Sequence, residues 1–325
     1  MNRYIYSLGL IAFGLIFGQA IRALVNKEII KPSVPTDKYI KTIQSIALLG
    51  LNPIITLGAF WAVRINDIRL IALPILGISS LALGGILGLI ASRALHLSRK
   101  QTGSMFVTGS FSNTSSFGGL ICYVFLGETS YAFVSMYRLF EEFMFYVIGF
   151  PIAKLYGDKD KTDDSRRKSL IKLILDPYIM ASFFSIIIGS SLNLSGIARL
   201  EAYKMLNDIL IPLTSLLLVI SVGYNMRVSA VGGYLRECLA IASIKFLFVP
   251  VFITGIAYLL GIQAAYNGLI FKVIMILSSM PPAFNALIPP QIYNLDKDLA
   301  NSCWLFGTGA LVITLPILFM VQRFL

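Results

Sequence analysis

From residue 70 to residue 91 the chain carries no charged side chain, and about 20 consecutive apolar residues is the length a helix needs to cross the hydrocarbon of a bilayer. That stretch removes water as the solvent for this part of the backbone and fixes the class of everything around it. Comparable apolar runs recur along all 325 residues, 57% of which are hydrophobic and 13% charged, a balance foreign to a soluble domain of this length. Read between charged or Gly/Pro-marked breaks, the runs give ten spans: 4–21, 43–63, 70–91, 102–126 and 131–153, then 177–194, 205–222, 238–260, 269–290 and 300–321. The expected fold is an all-α integral membrane protein with ten transmembrane helices.

The net charge of +11 belongs to membrane topology rather than to nucleic acid, because the basic residues form no aromatic-interleaved patch and no nucleic-acid module is recognisable. Lys and Arg accumulate in cytoplasmic loops. Here alternate loops divide them eighteen to six, with Arg138, Lys245 and Lys272 left inside spans. The bias predicts both termini outside the plasma (inner) membrane and the polar connector at 158–172 inside. Arg3, the apolar run after it and Gly18-Gln19-Ala20 faintly resemble a secretory signal, but Arg22, Lys27 and Lys31 follow directly, which holds that side in the cytoplasm and makes the run a first span. Cys122, Cys238 and Cys303 lie singly in apolar stretches and His96 is the lone histidine, so no cofactor or metal site is expected.

Five spans per half is an odd number, so two related halves must sit in the membrane with opposite topology. The expected organisation is a 5+5 inverted repeat, with residues 1–157 as the first half and 173–325 as the second. Asn52-Pro53 interrupts span two and Pro212 interrupts span seven. Span four carries the polar run Ser110-Phe111-Ser112-Asn113-Thr114-Ser115-Ser116, and span nine carries Ser278-Ser279-Met280-Pro281-Pro282-Ala283-Phe284-Asn285. A lone proline in a membrane helix is usually a kink that neighbours stabilise. Paired breaks at matching positions, each with an asparagine, point instead to broken helices around a polar cavity, because unwound backbone in lipid persists only where protein or a water-filled space covers it. Half-helix N-termini favour an anion, and an asparagine offers both a donor and an acceptor to orient it.

These residues resemble the auxin efflux carrier family, whose bacterial members include malate- and malonate-permease-like proteins. Asn113, Thr114 and Gly118 match the family's N-t-g-f-x-G-x-P segment, while Pro281, Ala283 and Asn285 match its P-x-A-x-N segment, with Asp296 at the acidic position beyond. Ile211-Pro212-Leu213 through Gly223 resembles its I-P-L…G segment. Two departures stand out: Leu120 replaces the proline that closes the first motif, and Ser115-Ser116 replace its Gly-containing pair. The resemblance implies a scaffold domain, a crossover-bearing transport domain, elevator-type alternating access and an organic anion substrate. The candidate substrate residues are Asn52, Asn113, Thr114, Ser115, Pro281, Pro282 and Asn285.

Span five holds Arg138 three and four residues before Glu141 and Glu142, the spacing at which helical side chains meet. Ionisable groups inside a membrane are costly and mark functional sites by default; the alternative is a locally neutralised structural triplet. Lys245 in span eight is expected to neutralise the second glutamate, to attract the substrate anion, or to snorkel. The sequence leaves proton or sodium coupling and a homodimer open; membrane lipid is the obligatory surrounding. No HExxH, GxSxG or Ser-His pairing supports an intramembrane enzyme. The nearest rival within transport is a sodium-coupled bile-acid-type symporter of the same architecture, and beyond transport a non-transport membrane protein with a sensory or assembly role.

Overall fold

A computed structural model of the chain describes residues 3–27, 36–62, 67–157, 177–225 and 233–324; the connector expected at 158–172 lies outside them. Secondary structure among the described residues is helical, apart from one antiparallel bridge. Among the described residues, six helices are long and apolar enough to cross a membrane: Gly9–Asn26, Lys38–Ala62, Arg69–Ala94, Glu201–Asn225, Leu235–Leu259 and Lys297–Gln322. Shorter apolar helices cover Thr114–Leu126, Met144–Tyr156, Phe183–Leu194 and Ile262–Ser278, and these fall on the remaining four expected spans. The chain is thus a multi-pass helical membrane protein.

The helices assemble into two compact units, each drawing on both halves of the sequence. The first comprises Met1–Asn66, Ser115–Ser135 and Pro177–Met226. It contains α1 (Arg3–Asn26), α2 (Thr36–Ser45), α3 (Asn52–Ala62), α6 (Gly119–Leu126), most of α7 (Ser130–Tyr137), α10 (Pro177–Leu194) and α11 (Glu201–Asn225). Glycines let α1 and α11 cross closely: a Cβ on Gly18 of α1 would lie 2.3 Å from Ile220 O, and one on Gly223 of α11 would lie 2.5 Å from Leu15 O. Between helices surrounded by lipid, such small-residue contacts replace the hydrophobic drive available in water.

The second unit comprises Asp67–Thr114, Met136–Asp176 and Arg227–Leu325. It contains α4 (Ala72–Ala94), α5 (Arg99–Ser110), α8 (Glu141–Phe143), α9 (Phe150–Tyr156), α12 (Leu235–Ser243), α13 (Val249–Leu259), α14 (Leu269–Ser278), α15 (Ile288–Ile292) and α16 (Lys297–Phe324). Helix α4 is built inside out compared with a soluble helix. Ser80, Gly84 and Gly88 are buried, while Ile75, Ile86 and Ile90 are exposed, as suits an apolar solvent. A Cβ on Gly84 would lie 2.1 Å from Gly109 O of α5, so α4 and α5 touch backbone to backbone.

The prolines fall into two classes. Asn52-Pro53 does not interrupt the helix as the sequence suggests: a π-helical turn at Ile46–Leu51 leads straight into α3, and Asn52 N–H donates to Ala47 O, five residues back. The same arrangement precedes Pro151 and Pro250, where Phe150 and Val249 donate to Phe145 O and Ile244 O. A proline clashes with the carbonyl four residues before it, and a wide turn placed just upstream accommodates the missing donor and the ring without ending the helix. Pro212 also sits inside a continuous α11. Among the described residues, extended backbone interrupts spans four and nine, at 111–113 and 279–283, and a turn at 138–140 interrupts span five, where Phe140 lies at φ −110°, ψ 17°.

Candidate functional site

A capping box starts α5. Ser98 Oγ accepts from Gln101 N–H, and the Gln101 side chain accepts from Ser98 N–H. The helix ends at Ser110, and Phe111 turns extended at φ −76°, ψ 125°. In span nine, α14 ends at Ser278, Ala283 is extended at φ −70°, ψ 154°, and a 3-10 turn at Phe284–Leu287 leads into α15. The two extended stretches pair. Asn113 N–H donates to Pro281 O at 2.8 Å, and Ala283 N–H donates to Phe111 O at 2.9 Å, with Ser112 facing Pro282 in an antiparallel bridge.

This pairing explains why two consecutive prolines stand here. Ser112 and Pro282 form a non-hydrogen-bonded antiparallel pair, in which neither residue uses its own N–H on the other. Pro282 therefore loses nothing by having no donor, and Pro281 supplies only its carbonyl. Each break satisfies backbone groups of the other, as a low-dielectric surrounding demands.

Side chains pin the span-four break from several directions. The Phe111 ring stacks on Phe145 with centroids 4.2 Å apart, in space left by Gly149, whose added Cβ would lie 2.4 Å from that ring. Lys245, fully buried in the π-helical turn at Ile244–Phe248, donates from Nζ to Ser112 Oγ at 2.7 Å and Ser110 O at 3.2 Å. Thr114 Oγ1 donates to Glu141 Oε1 at 2.5 Å, and Arg138 Nε donates to Glu141 Oε2 at 2.6 Å and Thr114 Oγ1 at 3.1 Å. At the span-nine break, Gly307 of α16 brings backbone against the prolines, since its Cβ would lie 2.8 Å from Pro282 Cδ.

Asn113, Thr114, Pro281, Pro282, Asn285, Arg138, Glu141 and Lys245 therefore all belong to the second unit. Asn52 and Ser115 belong to the first, where Asn52 Oδ1 accepts from the Tyr131 hydroxyl at 3.0 Å. Of the two carboxylates expected near Arg138, Glu141 is its partner; the Glu142 side chain lies outside the described residues. Lys245 does not snorkel: it is 0% exposed, because the carbonyl and hydroxyl of the break solvate its ammonium in place of water. Sequence reasoning missed Ser110 and Ser112 as its partners and Gly84, Gly109, Gly149 and Gly307 as the clearances around the break. The repeated small residues Ser80, Gly84 and Gly88, four apart, were the available signal for the α4 contact.

A multi-pass helical protein in which two unwound segments cross, with buried charge at the crossing, has the construction of a membrane carrier. The family model described as Membrane transport protein matches residues 62–319, and the chain belongs to that family, the auxin efflux carrier family of membrane transporters. The match begins within α3 and so leaves Asn52 outside it. The chain is also 21% identical over 248 residues to an uncharacterized transporter of Methanothermobacter thermautotrophicus (strain Delta H), an alignment covering 76% of this chain and 77% of that relative.

Proposed function

We propose that the protein is a secondary transporter of a small organic anion, a mono- or dicarboxylate such as malate or malonate or an auxin-like acid, working by elevator-type alternating access. In this reading ten spans form a 5+5 inverted repeat in the plasma membrane, with both termini outside. The observation that carries it is the reciprocal hydrogen bonding of Asn113 with Pro281 and of Ala283 with Phe111. Non-helical backbone is costly in lipid, and carriers use it to build polar sites near the midplane. Asn113 and Asn285 orient the anion, with Thr114, Pro281 and Pro282 of the same unit shaping its surroundings.

Arg138 holds Glu141 as a neutral pair, and Glu142 carries the coupling proton. Labelled malate, malonate and indole-3-acetate in proteoliposomes, each with and without proton and sodium gradients, test the assignment: saturable uptake of one of them supports it, and absence of uptake under every gradient overturns it for these acids. Glu142→Gln flattens the pH dependence of that uptake. An unchanged pH profile returns Glu142 to a structural role.

A further inference from the structure

Where a membrane helix is interrupted, the C-terminal end of its first half and the carbonyls of the unwound stretch carry concentrated negative potential, and in discontinuous carriers these oxygens are where a coupling sodium is held. At the span-four break the carbonyl is Ser110 O, on the last residue of α5, and the Ser112 hydroxyl shares its donor. Both accept hydrogen bonds from one fully buried ammonium, that of Lys245.

We propose that Lys245 is a tethered cation, standing permanently where a sodium ion would otherwise neutralise the span-four break, so that the folded site has no need of a metal ion. The inference rests on the carrier reading of the crossover, though its test does not. Three features of the second unit support it. The π-helical turn at Ile244–Phe248 contains Lys245, and such a turn re-aims a side chain relative to a regular helix. The backbone contact of Gly84 with Gly109 closes the adjoining space, a Cβ on Gly84 lying 3.6 Å from Lys245 Nζ. The Glu141 carboxylate lies within electrostatic range and binds Thr114, two residues beyond Ser112. The interrupted helix thus has a positive group at the C-terminus of its first half, which opposes the dipole there.

The test is thermal unfolding of the purified full-length protein in sodium chloride, ammonium chloride and N-methyl-D-glucamine chloride at equal ionic strength. Wild type is expected to unfold at the same midpoint in all three; a midpoint raised specifically by sodium overturns the proposal. Lys245→Ala is expected to lose several degrees in N-methyl-D-glucamine and to regain part of that loss in sodium or ammonium, ions small enough to enter the vacated space. A variant equally unstable in every salt overturns it. Should Lys245→Ala fail to purify, Lys245→Gln, which keeps a donor and removes the charge, takes its place with the same two readings. No substrate enters this measurement, so a failure of malonate uptake bears only on the carrier reading, and an indifferent variant bears only on Lys245.

Discussion

At residues 279–283 the helix stops because Pro281 and Pro282 have no N–H with which to continue it, whereas at 111–113 Phe111, Ser112 and Asn113 all keep their donors. The second break is written into covalent structure. The first is imposed by what surrounds it: the aromatic stack on Phe111, the ammonium of Lys245 on Ser110 and Ser112, and the Thr114–Glu141–Arg138 chain. The crossover therefore joins a stiff partner to a conditional one, and the conditional one is where buried charge has leverage. Even so, a π-helical turn follows at Thr114–Gly118. In the three turns at Ile46–Leu51, Met144–Gly149 and Ile244–Phe248, a proline stands two residues beyond the end; here that place is held by Leu120.

Seven variants sharpen or break this contrast. The largest effect is expected from Asn113→Ala and Asn285→Ala, each abolishing uptake in proteoliposomes while leaving membrane insertion intact. Normal transport by either would make the two breaks unequal in function as well as origin. Next comes Glu141→Ala, which leaves the largely buried Arg138 without its carboxylate and should cost about 3 kcal/mol, read as a lowered unfolding midpoint. The double replacement Arg138→Met with Glu141→Leu should recover much of that loss, and failure to do so would show that Thr114 depends on the carboxylate itself. Pro282→Ala is milder, because the ladder never used an N–H at that position. It introduces one buried donor without a ladder partner, for a loss of roughly 1–2 kcal/mol. The smallest effect is Leu120→Pro. A proline within a helix ordinarily costs about 3 kcal/mol, but two residues past a π-helical turn the change in stability should stay under about 1 kcal/mol, whereas Cys122→Pro should incur the full penalty.

What the sequence made visible divides along the same line. Pro281-Pro282 and the polar run at span four announced non-helical backbone, because prolines and clustered hydroxyls are rare where lipid is the solvent. Asn52-Pro53 looked equally disruptive and was not, because the wide turn upstream depends on hydrogen-bond geometry that no residue type signals. The reach of Lys245 to Ser112 was hidden for another reason. In water, amphipathic periodicity tells which face of a helix is buried, but along most of α4 both faces are apolar or small, so a chain of this kind gives little hint of which helices touch. The interleaving of the two halves in each compact unit was likewise beyond span counting.

The crossing of the two breaks can be tested directly by disulfide formation between Ser112→Cys and Pro282→Cys, in a background where Cys122, Cys238 and Cys303 are replaced by serine. Residues of a non-hydrogen-bonded antiparallel pair have Cα atoms roughly 4.5 Å apart, within the range a disulfide spans. Rapid, near-complete cross-linking in membranes under mild oxidation is the predicted result, with a control pair of Ser112→Cys and Ile288→Cys remaining reduced. A pair at 112 and 282 that stays reduced, or forms no faster than the control, would contradict the crossover.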